Sequence, residues 1–315
     1  MKQSVFITGA TGCIGSYVLD RLLNDPKYDL YLLVRDPSKL PFSTEKYTNV
    51  HLVQGELESI TSHREVLGKM DMIIHIATAW GDSEATANLN VARTIDILDA
   101  CDPKRFKHMI YFSTASILGP NNQVISEAET EGTWYVRSKY RAYHAIKAHP
   151  FSSRVTVLFP TLVFGGDRHH PYSHICSGLL DQGKWAKWIR HVYMEARFHF
   201  LHAYDIASVV IYLLNHPVPH QDYALGNPVM TGKNVIETLC RFFETPMSWR
   251  IKLTPWFVLK IAKLFRIQMA PWDRHCLSNP IFEYNTVAPD SFGMTTKFPT
   301  LESTLIHLRE NPPLK

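Results

Sequence analysis

The chain has 315 residues, 45% hydrophobic and 20% charged, the balance of a soluble globular protein long enough to bury a large core. Its net charge of +4 suits an anionic ligand, but there is no single-sign run of five or more charges and no aromatic-interleaved basic groove, so nucleic acid is not expected as a partner. Five scattered cysteines without a CxxC pair point to reduced thiols, and no apolar run reaches the roughly 20 residues of a transmembrane helix. With a strand starting by residue 5, no secretory signal and a cytoplasmic location are expected.

In chain order, strands are predicted at 5–8, 30–34, 50–54, 72–76, 109–113 and 155–158, and helices at 16–23, 87–100 and 134–148. This alternation argues an α/β fold with a parallel, doubly wound sheet and helices on both faces. Beyond residue 166 the rhythm breaks. Residues 199–216 read as a short strand and a helix that return to the sheet, 222–227 as a strand and turn, and the rest as a smaller, mainly helical lobe whose strongest helix is 254–265.

The junction of the first strand and helix carries Gly9, Gly12 and Gly15. Gly9 permits a sharp turn, Gly12 lets the backbone approach a pyrophosphate, and Gly15 lets the helix pack close to the sheet. Free N–H groups at the helix start complete an anion site, with Thr11, Cys13 and Ile14 in the same turn. A Rossmann-type dinucleotide domain over 1–165, rejoined by 199–226, and a substrate-binding lobe of 166–198 and 227–315 are expected. At the tip of the second strand, where an acid grips the ribose of NAD, stand Val34 and Arg35. A guanidinium there suits the 2′-phosphate of NADP, with Lys39 assisting. NAD is the alternative, with Arg35 paired to Asp36 or to an outer carboxylate.

The segments TGATGCIG (8–15), IIHIATAW (73–80), YFSTASILG (111–119) and WYVRSKYRAY (134–143) occur in an order that resembles the extended short-chain dehydrogenase/reductase family. LNVARTIDILDAC (89–101), VLFPTLVFG (157–165) and FLHAYDIASVV (200–210) extend the likeness, which is closest to the dihydroflavonol-reductase and 3β-hydroxysteroid-dehydrogenase-like branches. The resemblance implies catalytic roles for Thr114, Tyr135 and Lys139. It implies cofactor contacts from Glu56, Leu57, Ala77, Thr78, Ala79, Ser113, Tyr135, Lys139, Pro160, Leu162 and Val163. His202 and Asp205 match a structural motif, and Asn90 an orienting amide. Three positions depart from the pattern: Glu56 replaces Asp, Thr114 replaces Ser, and Phe159 stands where an arginine is common.

Tyr135 and Lys139, four residues apart, share one helix face. A neighbouring ammonium is expected to lower the phenol's pKa from its free value near 10, fitting it for proton exchange with a carbonyl or alcohol oxygen. Tyr143 and Lys147 repeat the spacing but lack the intervening serine, and read as packing. His75 reads as a satisfied core histidine, and His169 and His170 as loop residues, so no metal site is expected. Residues 249–267 are expected to wall an apolar substrate pocket, with core packing or shallow membrane contact as alternatives. The leading expectation is an NADP-dependent oxidoreductase acting on a small, fairly apolar carbonyl/alcohol pair, as a monomer or homodimer. The alternatives are a nucleotide-sugar epimerase or dehydratase with bound NAD, its pyrophosphate held by Arg168, Lys184, Lys187, Arg190 and Arg197, and a non-enzymatic dinucleotide-binding regulator.

Overall fold

The computed structural model describes residues 2–44, 46–79, 81–181, 190–218, 221–247, 249–264 and 268–312. Its centre is an eight-stranded sheet of β1 (Gln3–Thr8), β2 (Tyr28–Val34), β3 (Val50–Gln54), β4 (Met72–His75), β5 (His108–Phe112), β6 (Val155–Pro160), β7 (Tyr223–Leu225) and β8 (Thr286–Val287). The order is β8-β7-β6-β5-β4-β1-β2-β3, and every pairing is parallel. The doubly wound α/β architecture expected from the alternation is the one observed. Because β1 lies between β2 and β4, the chain leaves it in both directions and opens a crevice at the strands' carboxyl ends.

The strands are nearly continuous apolar runs because both faces are covered. Alternate residues feed opposite layers. Val5, Ile7, Ile74 and Ile110 pack towards α1 (Cys13–Leu22) and α4 (Ala203–Asn215). Phe6, Ile73 and Met109 pack towards α2 (Glu84–Asp99) and α3 (Trp134–Ala148). Helix α2 starts three residues earlier than predicted, because the Ser83 side chain caps it by accepting from Thr86 N.

Two departures from the sequence reading stand out. Thr286–Val287, within the stretch read as C-terminal lobe, pairs with β7 and extends the main sheet. The segment without a visible pattern contains a helix, His174–Asp181, and strand fragments Val192–Tyr193 and Arg197–Phe198 that pair with Ile251–Lys252 and Met230–Thr231. The C-terminal helices are α5 (Gly232–Phe242), α6 (Pro255–Leu264), α7 (Pro271–Ser278) and α8 (Leu301–Glu310). Phe164, Cys176 and Phe200 share a third core cluster with Leu301, Leu305 and Leu308. Buried Asp205 accepts from the N–H groups of Lys297 and Phe298 at 2.8 and 2.9 Å, and His202 caps α4 by accepting from Tyr204 N, so both have structural contacts here.

Candidate active site

The three glycines of the first turn differ in what they face. Gly9 has φ +79°, and a Cβ there would lie 2.8 Å from Ala77 N. A Cβ on Gly15 would lie 2.7 Å from the Gly9 carbonyl carbon and closer still to its oxygen. On Gly12 a Cβ would meet only Gly9 O, at 3.4 Å. Gly9 and Gly15 are therefore bare for the turn's own packing, whereas Gly12 borders open space. Helix α1 has no side-chain cap at Gly12, so its first N–H groups face that space.

The space is a cavity of about 900 Å³ along the carboxyl ends of the strands. Gly9, Thr11, Gly12, Cys13, Ile14 and Gly15 line it, as do Arg35, Lys39, Glu56, Leu57, Ala77, Thr78, Ala79, Tyr135 and Val163. Sequence reasoning missed Asp36 and the segment 171–175, which contribute to the same wall. That segment sits in the stretch without periodicity, which left no pattern to find it by. It follows a loop stitched to α1, where Tyr17 donates to Asp167 at 2.9 Å and stacks on His170.

The cavity's far wall is braced by polar contacts. His75 is buried between the hydroxyls of Thr8 (2.7 Å) and Thr94 (3.2 Å), and burial drives its imidazole down to about 3. Thr8 Oγ1 also accepts from Ala77 N. Asn90 clasps Ala79 from both sides, accepting from its N–H at 2.8 Å and donating to its carbonyl at 3.0 Å. At the other end, Arg35 is 3.9 Å from Glu56 and its side chain is 73% exposed, so this ion pair holds it weakly. Asp36 is engaged by the N–H and hydroxyl of Ser38.

Thr133 caps α3 by accepting from Val136 N, which puts Tyr135 in the first turn. Tyr135 and Thr114 share a hydrogen bond between their hydroxyls. Lys139 is buried beneath them, donating to Thr78 Oγ1 and to Phe112 O, each at 2.8 Å. Burial lowers its ammonium to about 7. Burial also raises the Tyr135 phenol, with the Thr114 hydrogen bond opposing. The direction is opposite to the lowering expected from Lys139: desolvation is its largest cause, and the ammonium nitrogen is 5.9 Å from the ring centre. Ser138, the motif's serine, donates to Tyr135 O, a helix back-bond rather than a contact to the cavity. The second pair is occupied elsewhere, as Tyr143 and Lys147 both bond Asp222 (3.1 and 2.9 Å).

Ser113, Lys139, Pro160 and Leu162 do not line the large cavity. Pro160 and Leu162 instead border a second cavity of about 190 Å³ beside Thr114, completed by Ala115, Ser116, Thr161, Phe198, His199, Trp272, Cys276, Phe282 and Tyr284. Among these lining residues there is no lysine, arginine or carboxylate. Its outer wall, missed by sequence reasoning, is a strap fastened at three points. His275 bonds Glu131 at 3.3 Å, Tyr284 N donates to His199 Nε2 at 3.1 Å, and Asn122 clasps the Asn285 backbone. The expectation that residues 249–267 form this wall is corrected: Trp249, Trp256, Phe257 and Leu264 are exposed, and α7 lines the cavity in place of α6. Residues 265–267 and the Ile261 side chain lie outside the description. Phe159, which stands where an arginine is common in the family, is core packing against Tyr143.

Of the five cations named for a pyrophosphate clamp, Arg168 is exposed and lines neither cavity, Arg197 pairs with Glu283 and Arg190 bonds Pro246 O; Lys184 and Lys187 lie outside the described residues. His170 bonds Asp167, and among the described residues no group of three His, Cys, Asp or Glu could hold a metal ion.

A nicotinamide dinucleotide fits the large cavity. Gly12 supplies a surface that a Cβ would fill, and the start of α1 offers free N–H groups. This glycine turn, crevice and Tyr–Lys pair define a dinucleotide-dependent enzyme of the extended short-chain dehydrogenase/reductase type. Residues 5–226 match the NAD dependent epimerase/dehydratase family, and the chain belongs to that family. It is 27% identical over 257 residues to vestitone reductase of Medicago sativa, covering 70% of this chain and 76% of that one. It is 28% identical over 153 residues to the 3β-hydroxysteroid dehydrogenase/Δ5→4-isomerase of Monkeypox virus, spanning 43% of each. Among solved structures, dTDP-glucose 4,6-dehydratase of Bacillus anthracis in complex with NAD superimposes with a TM-score of 0.68 at 16% identity, covering 98% of this chain and 97% of that one.

Proposed function

We propose that the protein is an NADP-dependent reductase of a small, apolar ketone or aldehyde. The carrying observation is the second cavity: it adjoins Thr114, is walled by Phe198, Trp272, Phe282 and Tyr284, and has no charged side chain in its lining. A nucleotide sugar would bring a pyrophosphate to this end of the site, where desolvation without a cation costs several kcal/mol, on the order of an unpaired buried charge. The nucleotide-sugar epimerase or dehydratase remains the second reading, favoured by the family and its solved relatives.

Gly12 and the start of α1 would hold the dinucleotide's phosphates, Arg35 and Lys39 its adenosine end, and Thr78, fixed from behind by Lys139, its nicotinamide end. When bound, the dinucleotide supplies the hydride. Tyr135, whose hydroxyl is bonded to Thr114, holds the proton that the substrate's oxygen gains. Thr114 orients the same oxygen. Lys139 donates to Phe112 O and Thr78 Oγ1, and so fixes the Thr78 hydroxyl in the cavity wall where the nicotinamide end would lie.

Arg35→Ala is expected to weaken NADPH by about 10- to 100-fold, one or two charge-assisted hydrogen bonds, and to leave NADH nearly unchanged. Fluorescence titration with both cofactors checks this; equal affinities in the parent protein would remove the NADP assignment. The substrate reading is tested with a homologous series of alkyl ketones. Binding is expected to tighten by about 0.8 kcal/mol per added CH₂ until the cavity is filled. A flat series, together with turnover of a nucleotide sugar, would favour the second reading.

A further inference from the structure

Helix α6 turns an apolar arc away from the protein. Trp256, Phe257 and Leu264 are 63%, 44% and 77% exposed, while Ala262 is buried beneath them. At 3.6 residues per turn, positions 256, 257, 260, 263 and 264 fall within an arc of about 120°, and Lys260 and Lys263 are the exposed residues that complete it. The Lys260 ammonium rests 3.9 Å above the Trp256 ring. Just upstream, Trp249 and Ile251 are exposed as well. From residue 246 to residue 272 the sequence contains no Asp or Glu but carries Arg250, Lys252, Lys260, Lys263 and Arg266. Arg250 and Lys252 are neutralised by Glu237 and Glu195. Lys260 and Lys263 have no ion-pair partner among the described residues, so the outward face of α6 is both apolar and cationic.

We propose that this face docks on an anionic lipid surface, with the aromatic rings at headgroup depth and the two lysines on lipid phosphates. Exposed aromatic and leucine side chains interleaved with lysines and free of acids are the composition of an interfacial helix. A second copy of the chain is a poorer occupant: a two-fold contact would set Lys260 and Lys263 against their own counterparts. A neutral apolar partner would leave the lysines without function. The proposal is independent of the substrate reading, because it uses none of the residues that line either cavity.

The test is co-sedimentation of the full chain with vesicles, read by the protein left in solution rather than by turnover. The chain is expected to sediment with vesicles of equimolar phosphatidylglycerol and phosphatidylcholine, to bind vesicles of phosphatidylcholine alone far more weakly, and to be released by salt. Lys260→Glu/Lys263→Glu is expected to weaken binding by at least about 25-fold, about five-fold for each lysine lost from an anionic surface. Trp256→Ser/Phe257→Ser is expected to remain in the supernatant with its thermal midpoint unchanged, since both side chains are exposed; should it not fold, the lysine pair carries the test. Equal binding to neutral and anionic vesicles, no sedimentation of the parent chain, or undiminished binding by the folded variants would overturn the proposal. So would a parent dimer that Trp256→Ser/Phe257→Ser converts to monomer without any vesicle binding, which would assign the face to a second copy.

Discussion

Tyr135→Phe is expected to lower kcat for ketone reduction by about 10²- to 10⁴-fold, the range that a positioned general acid contributes. Cofactor affinity should be almost unchanged, because the ring still packs against the same core cluster and Lys139 keeps its bonds to Thr78 and Phe112. Tyr143→Phe is the internal control. Its hydroxyl bonds Asp222 at 3.1 Å, and burial with that carboxylate pushes its phenol up to about 12, so it costs a hydrogen bond and little rate. Steady-state kinetics of the two variants separates them, and an exchange of their phenotypes would move the catalytic assignment to the second pair.

Alanine at the glycine turn is expected to divide folding from binding. Gly15→Ala would drive a methyl group into the Gly9 carbonyl, and backbone on both sides leaves no inexpensive escape. A loss of about 3–5 kcal/mol, or failure to fold, is expected from strain of this kind. Gly12 has φ −89° and ψ 173°, a conformation any residue adopts, and its Cβ would meet only Gly9 O at van der Waals distance. Gly12→Ala should therefore fold with a stability within about 0.5 kcal/mol of the parent. Its methyl group enters the large cavity, and dinucleotide affinity should fall by about 100-fold or more, about 2.7 kcal/mol. Thermal denaturation and cofactor titration on the same samples give both readings. A Gly12→Ala variant that binds like the parent would mean that the cavity is not where the dinucleotide lies.

The large cleft was legible in the sequence because its parts are local. A strand, a turn and a helix within residues 3–22 create the anion site, and one helical turn sets Tyr135 above Lys139. Sequence could not give the balance between desolvation and charge at that pair, since the depth of Lys139 depends on how α3 meets β5. The second cavity was less legible because its walls come from five separated stretches, and its strap is held by backbone bonds from Asn122 and His199. The aromatic segment 249–267 was misplaced for a related reason: periodicity measures how wide an apolar face is, not what covers it. Trp272 and Cys276, four residues apart on α7, were an equally simple signal for the cavity wall, outweighed by the larger aromatic count upstream.

The most direct measurement is a stoichiometric turnover with NADPH dideuterated at the transferring carbon of its nicotinamide and a small apolar ketone. One NADPH should be consumed for each alcohol formed, and the alcohol should carry one deuterium on its carbinol carbon. No net consumption of cofactor, no label in any alcohol, and conversion of a nucleotide sugar by the same preparation would contradict the reductase account.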